Sequence, residues 1–189
     1  MEDWVQRALA RWPNVPALFG WLGLDRRGRW LIRGETISRP QIIDTINANY
    51  AADEQGRWYF QNGPQRGYVT LEYTPLILRT DGSGQLLAHT GDVITQPSAA
   101  FLDEHGALLL QTERGPGVLE DASLVWALER LTAGNAAINE GTLAEAMHLP
   151  SGATTALQLH MDTLRLPLQR LDHADAPHSL GYVRDPQPP

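Results

Sequence analysis

The chain has 189 residues, with 15 Arg, no Lys, no Cys and a formal net charge of −7. The lack of cysteine excludes disulfides, thiolate metal sites and a cysteine nucleophile. The acidic balance disfavours nucleic acid as a partner, because phosphate binding requires a concentrated basic surface.

The first residues predict a soluble, cytoplasmic protein with an amphipathic helix. Met1-Glu2-Asp3-Trp4 lacks the positive start of a secretory signal, and the apolar stretch 15–24 is too short to span a membrane. Within residues 1–13, apolar side chains recur at helical spacing up to Pro13, which ends the predicted helix. The helix is expected to pack on a sheet or, as the alternative, to dock a partner.

A turn signature that recurs four times dominates the rest of the chain. An Asp is followed three residues later by a Gly and then by apolar residues, at Asp25–Gly28, Asp53–Gly56, Asp81–Gly84 and Asp103–Gly106. The Asp side chain can accept a backbone hydrogen bond that starts a turn, and Gly can adopt the positive φ that closes it. Four hairpins are therefore predicted. A calcium loop would need more acidic oxygens at closer spacing than these segments provide.

Three segments after the first hairpin predict helices. Ser38 is the expected cap of a helix that carries Pro40 in its first turn, and Thr142 is the expected cap of another, with Glu145 at capping-box spacing. A third helix is predicted over residues 121–131. Its expected buried stripe consists of Leu124, Val125, Leu128 and Leu131.

The order of these elements predicts an α+β fold. We expect a largely antiparallel sheet built from two duplicated hairpin-helix units, with three or four covering helices. In the last third, alternation at 157–161 resumes at 164–168 after a one-residue slip, which suggests a bulge or bend. The predicted divisions are the N-terminal helix (1–13), the first unit with a central β region (17–98), the second unit with a helix and strand (99–171), and a loose tail (172–189).

One polar cluster is the candidate ligand-binding site. It surrounds a predicted tight turn and consists of Arg57, Gln61, Asn62, Arg66 and Glu72. Guanidinium and amide groups suit a carboxylate, a phosphate or a peptide backbone, since Arg can donate two parallel hydrogen bonds. The alternative is structural: Asn62-Gly63 closes a hairpin, and Arg66 pairs with Glu72 or another neighbour.

A metal site is a weaker candidate. His160 and Asp162 would share one face of a strand, but a site needs at least a third ligand. The sequence carries no standard catalytic signature for nucleotide, metal or acyl chemistry, and it implies no cofactor.

A longer pattern resembles an uncharacterised proteobacterial family known as a domain of unknown function. It spans roughly residues 18–131 and includes Asp25-x-x-Gly28-x-Trp30, Ile37-Ser38-Arg39, Gly56-x-Trp58-Tyr59, Leu71-Glu72, Thr74-Pro75 and Thr90-Gly91-Asp92. The resemblance implies an α+β protein made from a repeated motif, with a possible role in signalling, and it transfers no catalytic residue.

The sequence therefore favours a non-enzymatic binding or regulatory module for a small anion or peptide segment. The alternative is a structural or interaction protein that forms a homodimer, through a sheet edge or through the Trp4/Trp12 helix. A metal-assisted enzyme using His160 and Asp162 is the third hypothesis.

Overall fold

The computed structural model describes residues 14–189, so the predicted N-terminal helix lies outside the described residues. The chain divides into two compact units. The first takes the chain up to Pro75 together with Gly181–Pro189, and the second is Leu76–Leu180. The predicted boundary near residue 98 therefore differs from the structure, where the strands that follow Pro75 belong to the second unit.

The described part of the first unit, from residue 14 onward, is a six-stranded sheet with one helix. Its strands are β1 (Ala17–Leu24), β2 (Trp30–Ile32), β3 (Glu35–Thr36), β4 (Tyr50–Ala52), β5 (Trp58–Asn62) and β6 (Gln65–Leu71), in the spatial order β3-β2-β1-β6-β5-β4. Helix α1 (Pro40–Ala48) is anchored where the Trp30 indole donates to Asn47 Oδ1 at 2.7 Å. Ile42 and Ile46 of α1 line an apolar cavity of about 370 Å³ together with sheet residues such as Phe60.

The second unit is a nine-stranded sheet. Its strands are β7 (Leu76–Thr80), β8 (Leu86–Ala88), β9 (Ala99–Leu102), β10 (Leu108–Thr112), β11 (Gly115–Leu119), β12 (Leu131–Ala133), β13 (Ala136–Ala137), β14 (Thr154–Met161) and β15 (Leu164–Arg170), in the order β13-β12-β14-β15-β9-β10-β11-β7-β8. Its helices are α2 (Leu124–Leu128), preceded by a 3₁₀ turn at Asp121–Ser123, α3 (Glu140–His148) and α4 (Ala176–Leu180).

The α+β class is confirmed, but the arrangement of the sheets differs from the expectation. Residues 14–189 form two sheets, and both are mixed, because β1 pairs with β6, β7 with β11 and β9 with β15 in parallel. Residues 101–131 contain a hairpin, a strand and a short helix in the predicted order, but a duplicated hairpin-helix unit is not confirmed. Both sheets contain a five-strand order in which a two-stranded hairpin and a three-stranded antiparallel meander meet through a parallel pair, β2-β1-β6-β5-β4 and β8-β7-β11-β10-β9.

The four predicted turns are confirmed, and they share one geometry. They connect β1 to β2, β4 to β5, β7 to β8 and β9 to β10. In each, the Asp carboxylate accepts from the backbone N–H groups two and four residues later, at 2.8–3.0 Å. The closing glycines have φ between +74° and +84°, the left-handed region that only Gly adopts readily.

Both predicted helix caps are one position or more from the observed ones. Helix α1 is capped by Arg39, with Pro40 as its first residue, and Ser38 lies outside it. Helix α3 is capped by Asn139, whose side chain accepts from the N–H of Thr142 while the Thr142 hydroxyl accepts from the N–H of Asn139. Thr142 is therefore the partner residue inside the helix rather than the cap.

The predicted helix over 121–131 is shorter and faces the other way. Residues 131–133 form β12, and the buried residues of α2 are Trp126 and Ala127, whereas Val125 and Leu128 are 65% and 46% exposed. A helix of five residues makes little more than one turn, so the spacing of its apolar residues does not identify the buried face. The slip after Met161 is a two-residue hairpin turn at Asp162-Thr163, since Met161 faces Leu164 across β14 and β15.

The C-terminal tail differs from the expected loose segment. In the second unit, Ala176 begins α4 and is fully buried. In the first unit, Tyr182 is 4% exposed, Val183 donates its N–H to Gly56 O, and Arg184 O accepts from Leu71 N–H. Pro and Asp content alone gave no signal for these backbone pairings. No helix in the described part of the chain is long and apolar enough to cross a membrane.

Candidate functional site: an arginine–tyrosine cluster

The turn between β5 and β6 positions the candidate site. Gly63 has a φ of +56°, and the register places Asn62 opposite Gln65, so Gly63-Pro64 forms a two-residue connection. The same register makes Tyr59 and Tyr68 cross-strand partners and places Gln61 opposite Arg66. As the alternation predicted, Trp58 and Phe60 are buried, whereas Arg57, Tyr59 and Gln61 are partly exposed on the opposite face.

We define the arginine–tyrosine cluster as Asp53, Arg57, Tyr59, Arg66 and Tyr68. The Arg66 guanidinium lies 4.4 Å from the centre of the Tyr59 ring, and that of Arg57 lies 4.7 Å from the centre of the Tyr68 ring. Such contacts attract the cation to the negative face of the ring. The two rings meet edge to face at 5.8 Å, so the four side chains hold one another in place.

Asp53 fixes the position of Arg57. Arg57 Nη2 lies 2.7 Å and Nε 2.8 Å from Asp53 Oδ2, and the Tyr68 hydroxyl contacts both residues. Burial of Asp53 opposes its ionisation, but hydrogen bonds from the Arg57 side chain and from backbone N–H groups lower the pKa of Asp53 overall. The charge of Arg57 is therefore balanced within the fold.

Arg66 is exposed, and its environment differs from that of Arg57. None of the ion pairs in the described part of the chain includes Arg66. Hydrogen bonding with Tyr68 raises the pKa of Arg66. The predicted pairing of Arg66 with Glu72 is absent among these contacts. Arg57 and Arg66 line a shallow concavity of about 370 Å³ together with Tyr59, Asp53 and Glu54.

Of the five predicted site residues, the structure brings together only Arg57 and Arg66. Gln61 donates its side-chain amide to Gly63 O and Gln65 O, which is the structural role of a turn support. Asn62 lines the apolar cavity beneath α1, on the other face of the sheet. Glu72 accepts from the N–H of Arg26 and follows the far end of β6, roughly 20 Å along the strand from Arg66 at the usual rise per residue.

The predicted metal pair also separates. His160 lies on β14, and its Nε2 atom is 2.9 Å from the hydroxyl of Thr132 on β12. Asp162 lies beyond the end of β14, in the turn. Between residues 14 and 189, no group of three or more His, Asp or Glu side chains is placed to hold a metal ion.

Sequence reasoning did not include Tyr68 and Asp53 in the site. Asp53 was assigned only to its turn, although its position four residues before Arg57 also favours an ion pair with that residue. Tyr68 could have been found from the register, because a two-residue turn at 63–64 puts it opposite Tyr59.

Comparison with known proteins identifies the family of the chain. The family model DUF2944, described as "Protein of unknown function (DUF2946)", matches residues 1–187, and the chain belongs to this family. No curated protein matches the chain.

Among solved structures, a DUF1285 family protein from Silicibacter pomeroyi DSS-3 is similar. Its TM-score is 0.55 at 14% identity, over 83% of each chain. A DUF1285 family protein from Shewanella baltica OS155 matches at a TM-score of 0.42 and 14% identity, over 55% of this chain and 86% of its own. The predicted resemblance to a proteobacterial domain of unknown function is confirmed.

Proposed function

We propose that this protein is a non-enzymatic binding module whose ligand presents a carboxylate to Arg66, either as a small anion or as an acidic side chain of a peptide segment. The observation that carries the proposal is the state of Arg66: its guanidinium is held on Tyr59 inside a concavity, with no carboxylate at ion-pair distance within residues 14–189. A guanidinium can donate two parallel hydrogen bonds to one carboxylate.

The charges around the concavity favour a single negative charge on the ligand. Arg57 is paired with Asp53, and Glu54 adds a second carboxylate to the lining. A dianion such as phosphate would meet repulsion from Glu54, whereas a monocarboxylate adds one charge opposite Arg66. The Tyr59 ring offers an apolar surface for the rest of the ligand.

A thermal-shift experiment tests the proposal. Acetate, glutarate, inorganic phosphate and a short Glu-containing peptide are titrated against the wild type and against Arg66→Gln. A ligand at a hundred times its Kd stabilises the folded state by about 2.7 kcal/mol, so a carboxylate should raise Tm in the wild type and not in Arg66→Gln.

The matched control is Arg27→Gln, an exposed position in the same unit that removes the same charge. Because Arg66 and Arg27 are both exposed, both variants should fold. If a carboxylate still raises the Tm of Arg66→Gln, or if no carboxylate raises the Tm of the wild type, the proposed function is contradicted.

We also propose that the two five-strand arrangements arose by duplication of one unit. Their identical strand orders and the matching places of their Asp/Gly turns support this. An experimental structure in which β2-β1-β6-β5-β4 could not be superposed on β8-β7-β11-β10-β9 would exclude it.

A further inference from the structure

A second cavity, in the unit Leu76–Leu180, is independent of the arginine–tyrosine cluster. It has a volume of about 400 Å³ and lies where the Asp81–Gly84 turn, helix α2 and the β14–β15 hairpin tip meet. Met161 and Leu164 contribute partly exposed apolar side chains to its lining, and Arg130 and Asp162 are its charged residues. Most of the lining surface is polar, so charged and hydrogen-bonding groups dominate this cavity.

Arg130 is held in position at this cavity. Its guanidinium lies 4.7 Å from the centre of the Trp126 ring, and Nη1 donates to Trp126 O at 3.1 Å. Trp126 is itself fixed, because its indole N–H donates to Gly84 O at 3.1 Å. The carboxylate paired with Arg130 is that of Glu129, at 3.7 Å, on a side chain that is 67% exposed. Such an exposed pair contributes little and leaves Arg130 available to a ligand.

Asp162 supplies the opposite charge. It is exposed at the hairpin tip with a φ of +48°, a conformation that costs energy for a residue other than Gly. The ion pairs between residues 14 and 189 do not include Asp162, and Arg130 and Asp162 are not within ion-pair distance of each other. The cavity therefore presents one positive and one negative group that the fold does not neutralise against each other.

We propose that this cavity binds a small zwitterion of the α-amino acid class with an apolar side chain. The ligand carboxylate would contact Arg130, its ammonium group would contact Asp162, and its side chain would lie against the partly exposed Met161 and Leu164. A ligand with both charges neutralises both protein groups, whereas a simple carboxylate or a simple amine leaves one of them unpaired.

The test is isothermal titration of the full chain with three probes of similar shape: L-leucine, 4-methylpentanoate, which lacks the amine, and isopentylamine, which lacks the carboxylate. L-leucine should bind at least tenfold more tightly than either analogue. Arg130→Gln and Asp162→Asn should each weaken L-leucine binding at least tenfold. Arg165→Gln and Asp175→Asn, two exposed positions outside the cavity lining, should not.

Asp162→Asn keeps the proposal testable if Arg130→Gln disturbs Trp126, because Asn tolerates a positive φ as well as Asp does. Equal binding of the three probes, no binding of L-leucine, or full binding by Asp162→Asn would each overturn the proposal. Loss in Arg66→Gln instead would assign the binding to the other site.

Discussion

The close approach of Gly56 to the C-terminal segment gives the sharpest test of the fold. Gly56 closes the second Asp/Gly turn at a φ of +74°, and a Cβ atom there would lie 2.3 Å from the carbonyl oxygen of Gly181. The left-handed conformation alone costs a residue with a side chain about 1–2 kcal/mol. The contact also forces Gly181 away, which breaks the hydrogen bond from Val183 N–H to Gly56 O, worth about 1 kcal/mol. Gly56→Ala should therefore reduce the free energy of unfolding by about 3 kcal/mol.

Gly34→Ala is the matched control in the same unit. Gly34 has a φ of +87°, but a Cβ atom there would meet nothing within 4 Å, so only the conformational cost of about 1–2 kcal/mol remains. Urea unfolding followed by NMR at the Trp30 indole reports on this unit, because Trp30 is buried in its sheet. If Gly56→Ala loses no more stability than Gly34→Ala, the described contact with Gly181 is wrong.

Two further predictions concern buried polar groups of the second unit. Burial, together with the charge of Arg79, lowers the pKa of His89 to about 3. In the unfolded chain a His titrates near pH 6.5. As the pH falls, the unfolded chain therefore binds a proton at this residue before the folded protein does. Between about pH 6 and the lowered pKa of His89, this residue should add about 1.4 kcal/mol per pH unit to the loss of stability, so the loss should be steeper in the wild type than in His89→Gln. Equal slopes of the two proteins in urea titrations would refute this. Arg170 is 3% exposed, and it pairs with Asp172 and donates to the carbonyl groups of Met147, Leu149 and Leu102. Arg170→Met should therefore lower the free energy of unfolding by about 3 kcal/mol in the same urea assay. The exposed Arg165→Met on the same strand should stay within about 0.5 kcal/mol, and a similar loss in both variants would count against the assigned role.

What the sequence could predict depended on how local the interaction is. The Asp/Gly turns were predictable because each is closed by hydrogen bonds within five residues. The parallel pairs were not, because β1 and β6 are joined across most of the first unit and no short motif encodes such a pairing. The helix caps failed by small distances, since Ser38 and Thr142 have the right chemistry but neighbouring residues occupy the cap.

The candidate site shows the same limit. Alternation along β5 correctly placed Arg57, Tyr59 and Gln61 on one face. Proximity in sequence then suggested that Glu72 belongs with Arg66, but an extended strand carries its two ends far apart. The cavity at Arg130 could not be predicted, because it forms where three separate segments meet.

The return of Gly181–Pro189 to the first unit has a consequence for how the protein is made. The backbone partners of Gly56 and Leu71 are Val183 and Arg184, and all of Leu76–Leu180 lies between them in the chain. During translation, the first unit cannot form these hydrogen bonds until Leu76–Leu180 has been synthesised. Premature termination before Gly181 would therefore destabilise the first unit, even though its residues up to Pro75 had all been synthesised.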